Sequence, residues 1–214
     1  MWSSQVATAS SSPAPSRAAE SRLYLVTPVR PELEAFLEAA VRGGVDLVQI
    51  REREVPDGEL LRALELVRSV TRRLGVPLVV NDRPDLAALC EADYVHLGQD
   101  DLPVEAARSF GVGVGLSTHA RGEIDRAGAD YIGVGPVFAT PTKEGRAPVG
   151  LDLVRYAAER ARLPWFAIGG IDGRNVADVV AAGARRVAVV RAIVDAPDPE
   201  RVARELRAAL PARR

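Results

Sequence analysis

The chain has one cysteine and two histidines in 214 residues, and each shortage excludes something. A lone Cys90, set in the apolar stretch LAALC, rules out a disulfide framework and a metal-thiolate cluster. It reads as a small buried hydrophobe and points to a reducing, cytoplasmic compartment. His96 and His119 have no cysteine or third histidine beside them, which argues against a zinc site. The formal net charge of −1, without a basic run, gives no electrostatic ground for binding nucleic acid or an anionic membrane. No window approaches the roughly 18 consecutive apolar residues of a membrane span. Residues 1–20 (MWSSQVATASSSPAPSRAAE) lack the apolar segment of a secretory signal, and Arg17 alone is too little basic charge for a transit peptide. Rich in Ser, Ala and Pro without apolar periodicity, they are expected to be a disordered leader to one domain over 21–214.

What the rest of the chain does have is an alternation of two periods. Eight short apolar runs recur: LYLV, DLVQI, PLVV, YVHL, VGVGL, YIGV, WFAI and RVAVV. Near-continuous apolarity suits strands covered on both faces. Between them lie segments of helical period, such as Pro31 to Arg42, where Leu33, Phe36, Leu37 and Ala40 share a side and Pro31 stands at a helix start. Four strand starts look alike, GGVDLVQI, CEADYVHL, AGADYIGV and AGARRVAV, and they precede every other strand. That repeat suggests a barrel of equivalent βαβα quarters. An α/β fold, a single (β/α)8 TIM barrel, is the leading architecture; an open doubly wound sheet is the alternative and offers no reason for the fourfold regularity.

In such a barrel the residues just past each strand converge on one face. They form an inventory for phosphate: QIRER (Gln49, Arg51, Arg53), NDR (Asn81, Asp82), HLGQDD (Asp101), LSTH (Ser117), GPVFATPTK (Thr140, Thr142, Lys143), AIGGI (Gly170) and VVRAI (Val190, Arg191). Asp82 and Asp101 are hard oxygen ligands that could share one Mg2+, with substrate phosphate and water completing its shell. Arg51, Arg53 and Lys143 could hold phosphate oxygens, arginine through bidentate bonds and lysine as a point charge. Gly169 and Gly170, ahead of a helix beginning near Asp172, let backbone amides approach an anion. Each feature also has a plainer reading. An aspartate after a strand can cap the next helix, and a glycine pair can be only a turn. Convergence of these strand ends on compatible groups favours a site.

Taken together and in order, QIRER, NDRPDLA, HLGQDDLP, GLSTH, GVGPVFATPTK, AIGGI and VVRAI resemble the thiamine phosphate synthase family, from Leu23 to about Leu210. The resemblance implies a (β/α)8 barrel and a transferase that joins hydroxymethylpyrimidine diphosphate to thiazole phosphate, releasing thiamine phosphate and pyrophosphate with Mg2+. It further implies that Gln49 and Asn81 address the pyrimidine or its diphosphate and that Arg51 and Arg53 clamp the diphosphate. Asp82 and Asp101 match magnesium ligands, and Ser117 and Lys143 match groups on the leaving pyrophosphate. Thr140, Thr142 and Gly170 match contacts to the thiazole phosphate, completed by backbone at Val190 and Arg191. The implied partners are small molecules; no feature sets the oligomeric state. Two positions depart from the family pattern: Arg53 stands where lysine is usual, and Arg191 where a small serine is often found. A thiazole tautomerase of the same superfamily could use His119, and a non-catalytic phosphate-binding barrel could use the anion contacts. Neither has an evident use for the whole set of Asp82, Asp101, Arg51, Lys143, Gln49 and Asn81.

Overall fold

A computed structural model of the chain describes residues 17–52, 54–140 and 147–212. Eight parallel strands close into a barrel in chain order, β8 pairing with β1. The strands are β1 Leu23–Thr27, β2 Leu47–Ile50, β3 Leu78–Asn81, β4 Tyr94–Leu97, β5 Gly113–Thr118, β6 Tyr131–Val134, β7 Trp165–Ile168 and β8 Val187–Val189. All eight expected strands are present, shifted by at most two residues at an end. The reason they were legible is visible in β1, β2, β3 and β6, where every residue is buried. One face meets the helices and the other fills the barrel, so apolar residues run on without alternation.

The helices lie around the sheet. The first long one, α2 at Leu33–Arg42, buries the expected stripe of Leu33, Phe36, Leu37 and Ala40. It starts two residues after Pro31, because Glu32 takes a left-handed conformation (φ 54°) at its N-cap. The 18-residue α3, Asp57–Leu74, buries Leu60, Leu64, Val67, Val70 and Thr71, again one face. It ends at Gly75, whose φ of 71° suits a residue without Cβ. Among the described residues no helix is long and apolar enough to cross a membrane.

The barrel interior is packed with rings. Tyr24, Tyr94, Tyr131 and Phe166 meet edge to face, with centroids 5.2–6.0 Å apart, a geometry worth about 0.5–1.5 kcal/mol per pair beyond area burial. β5 makes the room for them: a Cβ at Gly115 would sit 2.2 Å from the Tyr131 ring. The glycines of VGVGL are therefore space for tyrosine.

The N-terminal ends of the strands are closed by residues that the sequence had suggested were part of a disordered leader. Residues 17–20 instead form a helical turn, α1 at Arg17–Glu20, with Ala18 fully buried and its amide donating to Tyr94 Oη at 3.3 Å. The ordered unit thus includes Arg17 onward, because Ala18 plugs the ring-filled core from below; residues 1–16 lie outside the described residues. The repeated aspartates also sit at this end. Asp46 accepts from the amides of Arg22 and Leu23 at 2.8 Å each, Asp93 from Leu78 at 2.9 Å, and Asp130 from Val114 at 2.7 Å. Each ties the start of one strand to the start of its predecessor, which is the physical content of the fourfold repeat. The last quarter carries Arg185 and Arg186 instead, and Arg186 donates to the carbonyl of Ala19 at 2.6 Å.

Candidate active site

A pocket of about 400 Å³ opens at the C-terminal ends of the strands. From β2 and β3 and the residues just past them it receives Gln49, Arg51, Asn81 and Asp82; from beyond β4, Asp101, and from the end of β5, Ser117. Thr140, Gly170, Val190 and Arg191 line it from beyond β6, β7 and β8. The structure thus gathers ten of the expected site residues, from seven strand ends, around one cavity. Arg53, Thr142 and Lys143 lie outside the described residues.

The plainer readings of the two acids do not hold. The residues that precede helices α4 (Pro84–Leu89) and α5 (Val104–Arg108) are Arg83 and Pro103, so neither Asp82 nor Asp101 caps a helix. Asp101 Oδ2 instead accepts from the Gly98 amide at 2.6 Å. Asp82 has φ 60°, a left-handed conformation that Asp tolerates better than most side chains and that is enriched at functional sites. Arg83 of the same NDR motif turns to the rim. Its guanidinium is bound by Asp85 (2.7 and 2.9 Å) and Asp57 (2.6 and 3.0 Å), which raise its pKa further and hold both carboxyls below their usual range. It ties the start of α3 to the start of α4.

The glycine pair after β7 is a turn and a wall at once. Gly169 and Gly170 have φ of 103° and 67°. A Cβ at Gly169 would lie 2.5 Å from Pro136 Cα, and one at Gly170 would lie 2.9 Å from the carbonyl oxygen of Ala139. The β6 and β7 loops pack so closely here that only glycine fits, whether or not a ligand is bound. The helix expected near Asp172 begins later, as α8 at Val176–Ala181. The delay has a cause: Asn175 holds the intervening loop, donating to the Gly170 carbonyl (2.8 Å) and accepting from the Asp172 amide (2.9 Å). Asp172 meanwhile binds Arg174 at 2.6 Å, and this hydrogen bond lowers its carboxyl pKa. The same pair lines the pocket mouth, with the Arg174 side chain 91% exposed.

Deeper in, polar side chains from six strands touch in sequence. Gln49 Nε2 donates to Asn81 Oδ1 at 3.1 Å, and Tyr24 Oη donates to Gln49 Oε1 at 3.0 Å. The Tyr24 and Tyr131 hydroxyls meet at 3.0 Å, His96 Nδ1 reaches Tyr131 Oη at 3.1 Å, and His96 Nε2 reaches Ser117 Oγ at 3.0 Å. Burial raises the pKa of both tyrosines, so the phenols stay neutral. Tyr24, Tyr131 and His96 had no assigned role in the sequence reading, and the signal for them was strand parity. Tyr24 is two residues from Val26, the register partner of Gln49, while Asn81 and His96 are register partners. His119 also lines the pocket, its Nδ1 in contact with the Gly135 carbonyl.

The arrangement can bind a polyanion beside a flat polar ring. Among the described residues no three His, Cys, Asp or Glu side chains gather to hold a metal ion. Asp82 and Asp101, which both line the pocket, are oxygen donors of the kind that suits an ion of the magnesium type, which takes one or two carboxylates and draws its other ligands from phosphate and water.

A closed parallel barrel with a pocket of this kind at its C-terminal end defines the class, a (β/α)8 barrel with its site at the strand C-termini. The chain belongs to the thiamine monophosphate synthase family, whose model matches residues 23–193. It is 55% identical over 196 residues to the thiamine-phosphate synthase of Thermus thermophilus, covering 87% of this chain and 95% of that one. It is 54% identical over 192 residues to the thiamine-phosphate synthase of Gloeobacter violaceus, covering 86% of this chain but 56% of that longer protein. Among solved structures, thiamine phosphate pyrophosphorylase from Pyrococcus furiosus superposes with a TM-score of 0.81 at 31% identity, covering 90% of this chain and 96% of that one.

Proposed function

We propose that this chain is a transferase that condenses hydroxymethylpyrimidine diphosphate with thiazole phosphate to give thiamine phosphate and pyrophosphate. The observation that carries the reading is the meeting of Gln49, Arg51, Asn81, Asp82 and Asp101 in one pocket with Gly170, Val190 and Arg191. A pyrimidine diphosphate has a place at the first set and a second, phosphate-bearing substrate at the other.

The chemistry asks little of side chains as proton carriers. The pyrimidine amino group can push electrons toward the exocyclic CH2 as the C–O bond to pyrophosphate breaks, and the neutral thiazole nitrogen then captures the resulting cation. No general base is required. The protein's work is to align the two rings and to stabilise charge on the departing oxygen. Arg51 can bind diphosphate oxygens in bidentate fashion, and we assign the same task to Arg53 and Lys143 from their places in the sequence. Asp82 and Asp101 would hold Mg2+, which when bound neutralises charge on the diphosphate. Thr140, Thr142 and backbone at Gly170, Val190 and Arg191 would receive the thiazole phosphate.

Purified protein given both substrates and Mg2+ should form thiamine phosphate and pyrophosphate in equal amounts, and EDTA should stop it. Absence of product under conditions where a known synthase works would overturn the reading. Isomerisation of a thiazole without diphosphate would assign the tautomerase activity instead.

A further inference from the structure

We infer that Tyr24, Tyr131 and His96 are positioning residues, which through a one-way hydrogen-bond chain across the barrel fix the pocket floor as a donor at Asn81 and an acceptor at Ser117. The direction follows from counting protons. A phenol carries one proton, and that of Tyr24 goes to Gln49 Oε1, which as a carbonyl oxygen can only accept. The contact between Tyr24 and Tyr131 must then be donated by Tyr131. With its own proton engaged, Tyr131 can only accept from His96, so His96 carries a proton on Nδ1. In a neutral imidazole the lone pair is left on Nε2, where it accepts from the Ser117 hydroxyl.

The two ends of the chain then face ligand with opposite polarity. At one end Gln49 engages Asn81 Oδ1, which leaves Asn81 Nδ2 to another acceptor, and among the described residues this buried amide nitrogen has no hydrogen-bond partner. A buried donor left unpaired costs about 1–3 kcal/mol, and a ring nitrogen seated on it would relieve the cost. Asn81 is 7% exposed, at the pocket wall. At the other end Ser117 has its proton directed at His96 and so meets ligand as an acceptor, not as a donor to a departing anion. The floor is thus matched to a heteroaromatic ring that offers an acceptor nitrogen toward Asn81. Had Gln49 the opposite amide orientation, every bond in the chain would reverse, and Asn81 would present an oxygen that repels such a nitrogen.

The ligand side of this inference rests on the proposed function, whereas the imidazole side does not. With only two histidines in the chain, long-range 1H–15N spectra of the free protein report both tautomers, and His119→Asn assigns them. At a pH about two units above the ordinary imidazole value, His96 is expected as the Nδ1–H tautomer. Tyr24→Phe leaves Tyr131 no acceptor but His96 Nδ1, so His96 should convert to the Nε2–H form, two side chains away from the change. In the same variant KM for the pyrimidine diphosphate should rise roughly tenfold, the effect of one buried hydrogen bond, with kcat within about threefold. Tyr131→Phe should disturb the His96 tautomer while KM rises less than in Tyr24→Phe, because the Tyr24–Gln49 bond survives. A wild-type His96 protonated on Nε2, alone or with Nδ1, overturns the inference, as does an unchanged KM in Tyr24→Phe. Failure of the wild type to make thiamine phosphate overturns the proposed function instead, and the tautomer result then decides the chain direction by itself.

Discussion

At the N-terminal end of the barrel, Asp46, Asp93 and Asp130 each hold a backbone amide of the preceding strand and an arginine: Arg207 at 2.7 Å, Arg68 at 2.7 Å and Arg108 at 3.1 Å. At the C-terminal end, Asp82 and Asp101 stand on the wall of the pocket, Asp101 accepting from one backbone amide and Asp82 in a left-handed conformation. The same residue type does two different things at the two ends. Below, it has its oxygens engaged by the fold and contributes to closing the barrel. Above, it faces a cavity that a polyanion with its counter-ion can enter. The position of an aspartate relative to its strand therefore says more about its role than its identity does.

If that division is right, substitutions at the two ends should separate activity from stability. The largest effect is expected from Asp82→Asn, which removes the charge but keeps a side chain tolerant of the left-handed backbone. Its kcat/KM should fall by about 10²-fold or more, as for loss of other charge-stabilising groups, with little change in Tm. Arg51→Ala should behave alike. Full activity in Asp82→Asn, or a loss explained by unfolding, would break the comparison. Asp93→Ala is the converse. It deprives the Leu78 amide and the Arg68 guanidinium of their acceptor, and among the described residues Arg68 Nε is already buried without a partner. A cost of about 2–3 kcal/mol is expected, which lowers Tm by roughly 5–10 °C, while kcat/KM stays within about twofold. A thermal scan beside steady-state rates distinguishes the two.

The same geometry explains what could be read from the sequence. Strands were legible because both their faces are buried, and the pocket residues because a (β/α)8 barrel sends its strand ends to one side. The repeated aspartates were legible as a pattern, though their partners were not. Arg207 lies 161 residues from Asp46 and pairs with it only because the last helix, α10 at Pro199–Ala209, returns beside β1 and α2. The chain from Asn81 to Ser117 was hidden for the same reason: its central contact joins Tyr24 to Tyr131 across 107 residues. The helix start near Asp172 failed on a local detail, since the Asp172 carboxylate is claimed by Arg174 and its backbone amide by Asn175. Arg83 is a similar case, a motif arginine that two rim carboxylates draw away from the site.

Between the two ends lies the ring layer, and its response to pH gives the smallest of the expected effects. Burial raises the pKa of Tyr24 and Tyr131 above the ordinary value of 10.0. In the unfolded chain these phenols lose their protons from about pH 10 upward, while the native state retains them. The unfolded state then binds fewer protons than the native one, so the slope of unfolding free energy with pH is negative. Stability from this layer is complete below about pH 10 and is lost as pH rises toward the folded values, by at most about 1.4 kcal/mol per pH unit for each tyrosine. Denaturant midpoints measured between pH 8 and pH 11 should therefore decline, and the decline should be shallower in Tyr24→Phe and in Tyr131→Phe. If both variants lose stability with the same slope as wild type, the alkaline transition belongs to other groups, and the rings are not the protonated layer that separates the structural end from the chemical one.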